Sequence, residues 1–158
     1  MKIPLITEGV VPLWDNGYYD GPLSGVVEYK GEKHYFDLLK EYDSEKLRKK
    51  VYRTFKLYKL TPKQLESMTY WHNEFCLHIG KHMTYSWDEN KKSYTRDFKV
   101  NPGVSTLYWK EMFYERYEKD VNENGNIYAT LDKSQIVGWL TYDVLMGKPH
   151  LEWRKIKK

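Results

Sequence analysis

A single cysteine, Cys76, in a chain of 158 residues excludes an internal disulfide framework and a Cys-rich zinc site, so a hydrophobic core has to hold the fold. Aromatic residues make up 16% of the chain, with 15 Tyr and 6 Trp spread along its length, which excludes a disordered polymer. The net charge of +4 comes from 21 Lys and only 5 Arg, and a mildly basic, lysine-heavy balance permits an acidic partner without demanding one.

The chain begins MKIPLITEGVVPLW, an apolar run interrupted by Pro4 and Glu8. It does not read as a signal peptide, and no stretch approaches the roughly 18 apolar residues of a membrane helix. A cytoplasmic protein with no membrane contact is expected. Residues 3–13 read as a strand, and Pro4 and Pro12 place it at a sheet edge, because proline cannot donate to a ladder. The segment 25–37 reads as a hairpin with its turn at Lys30-Gly31 or Gly31-Glu32; the first register sets Glu28 opposite Lys33. Residues 38–50 are charged and read as a connection with at most a short helix. Strand periodicity returns at 51–60, with Val51, Arg53, Phe55 and Leu57 on one face and Tyr52, Thr54, Lys56 and Tyr58 on the other.

The clearest element is a helix over 62–79. Thr61, Pro62 and Gln64 form a capping-box start, Leu65, Met68, His72, Phe75 and Ile79 make one stripe, and Gly80 stops it. Residues 84–103 read as a polar connection with a short strand near Tyr94–Val100, and 104–119 as a helix. The turn at Asn124-Gly125 precedes a short strand, 126–131. Residues 132–146 carry two signals: Asp132 and Gln135 can open a helix that presents Ile136, Leu140 and Val144, while Val137 to Val144 is also good strand sequence. The helix is narrowly preferred. A short basic tail, 150–158, ends the chain. Strands followed by a helix and a mixed second half indicate an α+β fold over 1–158 as a single domain, an antiparallel sheet packed by helices.

No motif is diagnostic of an activity. The loop WDNGYYDGPLSG is neither a P-loop nor a nucleophile elbow. Two adjacent turns explain its glycines and Pro22 but not its aromatics. Trp14, Tyr18 and Tyr19 can stack on a flat ligand, Asp15 and Asp20 can accept hydrogen bonds, and Ser24 can touch a phosphate. His72, His78, His82, Glu74 and Cys76 lie close in sequence but do not converge on one helix face, so neither a metal nor any other cofactor is expected.

The strand face carrying Tyr52, Lys56 and Tyr58, beside Lys49 and Lys50, alternates rings with cations, a pattern that holds single-stranded nucleic acid. Packing beneath a helix, or a solvated Tyr/Lys face, explains the pattern as well and is the preferred reading. The helix 104–119 holds more aromatics than one core stripe needs, which a partner subunit, and so a homodimer, would account for; a fully buried helix in a monomer explains it as well. The first reading is therefore a non-catalytic binding module, an inhibitor or regulator that captures a protein partner or small ligand through aromatic-rich loops. Nucleic-acid or nucleotide binding is the alternative. The third reading is a small enzyme using Asp15, Asp20, Ser24 and a histidine.

Overall fold

The computed structural model describes residues 3–16, 22–44, 50–78, 81–100 and 107–148. The elements run β1 (Val10–Asp15), β2 (Ser24–Tyr29), β3 (Glu32–Ser44), β4 (Lys50–Lys59), α1 (Pro62–His78), β5 (Lys81–Asp88), β6 (Ser93–Val100), α2 (Leu107–Asn124), β7 (Ile136–Thr141) and α3 (Tyr142–Leu145). Among these residues the strands form one antiparallel sheet in the order β6-β5-β1-β2-β3-β4-β7, and the architecture is α+β.

The sheet must curl. Leu5 forms a parallel bridge to Trp139 of β7, with Ile6 N–H donating to the Trp139 carbonyl at 2.8 Å and Trp139 N–H to the Pro4 carbonyl at 2.9 Å. The chain then enters β1 at Val10, in the middle of the sheet. Five residues span at most about 18 Å. In a flat sheet Leu5, outside β7, would lie five strand spacings from β1, about 24 Å. Curling brings the two together and makes a concave interior. Val27, Phe36, Phe55, Leu57 and Leu140 fill it with no exposed surface, joined by Ile6, Val10 and, from α3, Val144 and Leu145. Each such side chain contributes roughly 1.5–3 kcal/mol by leaving water.

Alternation sends the next residues to the convex face, where Tyr35 and Tyr58 pack against Met68 of α1. The capping box starts that helix: Thr61 N–H donates to Gln64 Oε1 at 3.0 Å and Gln64 N–H to Thr61 Oγ1 at 3.2 Å. The buried Gln64 amide also donates to Thr130 Oγ1 and accepts from Gln135 Nε2, which ties α1 to the turns before β7. Helix α2 packs onto α1.

The hairpin turn falls at Lys30 and Gly31, both at positive φ (53° and 78°), and sets Glu28 opposite Lys33. Five expectations are corrected. Residues 38–44 and 50, read as part of a connection, are strand: β3 and β4 extend through them and pair Ser44 with Lys50, while 45–49 lie outside the described residues. The strand expected near Tyr94–Val100 is present as β6, but what precedes it is a second strand and not a connection: β5 and β6 form a hairpin turned by Asp88, whose carboxylate accepts from the Asn90 and Lys91 amides. The expected strand 126–131 is a 3₁₀ helix, Ile127–Thr130, opened by Asn126 accepting from Tyr128 N–H. The expected helix 132–146 is a 3₁₀ turn, Lys133–Gln135, then β7 and the short α3.

The Asp132 signal is real, with its N–H donating to Gln135 Oε1 at 2.9 Å, but it opens one turn only. Pairing of Leu140 with Phe55 overrides the helix, and Gly138 permits the close packing: a Cβ there would meet the Ile6 side chain at 2.6 Å. Strand β1 is also no edge, lying between β2 and β5. Pro12 is tolerated because β5 pairs with β1 only at Trp14 and Asp15.

Candidate functional site: an aromatic cleft on the convex face

Trp14 points to the convex face at the end of β1 and stacks flat on His72 of α1, with ring centroids 3.8 Å apart and planes 6° from parallel. Opposite them α2 presents Phe113, Tyr114 and Tyr117. The cleft between, about 180 Å³, is completed by Trp71, Phe75, Tyr128 and Asn16. Helical spacing explains the convergence: His72 and Phe75 lie three apart on α1, and Phe113 and Tyr117 four apart on α2. Trp71 meets Phe113 and Tyr117 edge to face at 5.8 and 5.1 Å and anchors its Nε1–H on Asp120 Oδ2 at 3.1 Å. Phe113 and Tyr117 stack at 6.1 Å. Burial, and next the nearby Asp120 charge, raises the Tyr117 hydroxyl above its ordinary pKa, and burial does the same for Tyr128. These hydroxyls therefore stay neutral donors.

The cleft is partly covered and partly open. Phe113 is 5% exposed, whereas Tyr114 is 55% exposed. A polar cluster flanks Trp71. Arg116 donates to Tyr70 Oη at 2.6 Å and to Glu74 Oε2 at 3.0 Å, with its guanidinium 5.9 Å from the Trp71 ring.

Asp15, the next residue after Trp14, faces the concave side. Its carboxylate receives Arg96 through two bonds of 2.6 Å and also accepts from the Tyr85 hydroxyl. The Asp15 and Arg96 side chains are 0% and 7% exposed. Burial first, then the Asp15 charge, raises the Tyr85 pKa; the Asp15 contacts raise Arg96 against an opposing desolvation effect. Asp15 and His72 thus lie on opposite faces of the sheet, and these two groups do not converge on one site.

Ser24 begins β2, where its carbonyl accepts from Asn16 N–H at 2.8 Å, and its hydroxyl contacts Tyr35 and partly offsets the burial that pushes Tyr35 up to about 12. Tyr18, Tyr19 and Asp20 lie outside the described residues, as does Lys49. Lys50 and Tyr52 are β4 backbone positions paired with Ser44 and Tyr42. Tyr58 is 8% exposed beneath α1, while Lys56 lines a separate cavity near Trp139. Tyr58, being buried, offers no open ring face beside Lys56.

Sequence reasoning placed Trp14 among the ligand contacts but not its partners. His72 was legible as part of the α1 stripe, and the crowding of aromatics in α2 was visible, but no local signal joined them to Trp14. Arg96 and Tyr85 as holders of Asp15 were not foreseen. Among the described residues, no helix is long and apolar enough to cross a membrane. Comparison with family models, curated proteins and solved structures finds no match for this chain.

Proposed function

We propose that this chain is a non-catalytic binding module that captures a protein partner by one aromatic or aliphatic side chain inserted into the Trp14 cleft. The observation that carries the reading is the stacked Trp14–His72 pair facing the α2 rings across open space. Its size selects the kind of ligand. At about 180 Å³ the cleft is smaller than the roughly 300–1,000 Å³ that enclose a whole small molecule, but it suits a single anchoring side chain. Rigid rings give such a site contact area at little entropic cost, and the neutral Tyr hydroxyls can bond the partner's backbone. Confinement of Asp15 by Arg96 and Tyr85 on the other face further supports recognition over acid–base chemistry.

Selection of a displayed random-peptide library on the immobilised protein tests this reading. Enriched peptides should share one Phe, Tyr, Trp or Leu anchor, and should lose binding to the Trp14→Ala and Tyr114→Ser proteins. Enrichment without a shared apolar anchor, or binding indifferent to both substitutions, contradicts it.

A further inference from the structure

A second cavity, on the β4–β7 flank, has a different chemistry. The parallel bridge of Leu5 to Trp139 lays Ile3 and Pro4 alongside β7. In β3 the register shifts between Leu38 and Lys40, and the extra residue, Leu39, is left 51% exposed beside the flank. Trp139 sits directly across from Lys56 of β4, and Lys133 rises from the 3₁₀ turn that leads into β7. Together these residues line a half-open cavity of about 540 Å³. The walls are apolar: Ile3, Pro4, Leu39, Ile136, Val137 and Trp139. The polar members among the described lining residues are Lys56, Lys133 and Ser134, and no carboxylate is among them. Asp37 lies across the strand from Lys56, yet among the described residues no ion pair joins the two.

Two observations specify the occupant. The volume falls within the range that holds an entire small molecule, three times that of the Trp14 cleft. Two ammonium groups on an apolar wall with no lining carboxylate complement a molecule with an anionic head and a hydrocarbon body. Exposed large apolar residues gathered at one place, here Ile3 at 42% and Leu39 at 51%, mark interaction sites more often than scattered ones do. We propose that this cavity binds a medium-chain fatty acid, with the chain against Trp139, Leu39 and Ile3 and the carboxylate between Lys56 and Lys133. The proposal is independent of the partner-binding reading of the Trp14 cleft, since the two sites share no lining residue.

Calorimetric titration of the full chain with decanoate, below its micelle concentration, tests the site, with decanol as the uncharged control. Decanoate should bind one per chain and at least about tenfold more tightly than decanol, a difference of roughly 1.4 kcal/mol. Lys56→Met with Lys133→Met should remove that preference. Leu39→Asp, a change at an exposed position that leaves the core untouched, should weaken decanoate by tenfold or more while thermal unfolding stays put. Equal binding of decanol and decanoate, no binding of either, or indifference to Leu39→Asp each overturns the proposal. So does binding of oligothymidylate, but not decanoate, through Lys56 and Lys133.

Discussion

Trp14 and Asp15 are neighbours in sequence and opposites in structure. Strand pleating sends Trp14 to the convex face, where its ring meets other rings and leaves a gap. Asp15 goes to the concave face, where Arg96 and Tyr85 occupy both carboxylate oxygens. The aspartate, which looks like a ligand contact in the sequence, is closed by its own fold. The tryptophan remains half open. A buried charge that is fully paired is silent toward ligands and costly to disturb, whereas an aromatic surface with a gap is available and cheap to alter.

The largest expected effect breaks both faces at once. Gly25 of β2 lies against both residues: a Cβ there would meet the Trp14 carbonyl, the Asp15 Cα at 2.7 Å and the Phe36 ring at 2.8 Å. Two of those contacts are backbone and cannot swing away. Gly25→Ala should destabilise by more than about 4 kcal/mol, read by urea unfolding. Arg96→Met should cost about 3–5 kcal/mol by stranding the Asp15 charge. Adding Asp15→Asn should recover a good part of it, since the neutral amide still accepts from Tyr85. A double variant as unstable as the single one would show that packing, not charge, makes Arg96 matter.

Alkaline unfolding bears on the two faces at a smaller scale. Tyr35 on the convex face is raised to about 12, chiefly by burial, and Tyr85 on the concave face is raised by burial and by Asp15. A tyrosine raised in the folded state contributes stability that is complete below its unfolded value near 10 and is lost as pH climbs toward the folded value. Stability should therefore fall from about pH 10 to pH 12, by roughly 2–3 kcal/mol for Tyr35 alone. Tyr35→Phe should flatten that part of the curve. The smallest expected stability change is at the cleft itself: Tyr114→Ser, at a 55% exposed position, should shift unfolding by less than about 0.5 kcal/mol while abolishing anchor binding.

Local signals told the truth where the physics is local. The Thr61–Gln64 box, the α1 helix through Phe75 of its stripe and the Lys30-Gly31 turn are present, because each depends on residues within a few positions of one another, while Ile79 and Gly80 lie outside the described residues. Where distant pairing decides, the local signal misled. Asp132 and Gln135 do begin a turn, but β4 captures the following residues as a strand. The β5 half of the β5–β6 hairpin is polar enough to read as a loop, since Ser86, Thr95 and Asp97 are exposed on one face and the other carries Tyr85 and Arg96 for Asp15 rather than a row of aliphatics. For the cleft, Trp14 was legible as an aromatic that turn chemistry does not need. Its stack with His72 was not, because it depends on how the curled sheet presents β1 to α1.

The most direct test of the central claim is a heteronuclear NMR titration with N-acetylphenylalaninamide as a stand-in for an anchoring side chain. The expected result is saturable shifts confined to Trp14, His72, Tyr114 and Tyr117, and strongly weakened in Tyr114→Ser. Shifts centred elsewhere, or unchanged by that substitution, would contradict the assignment of recognition to the aromatic face of β1.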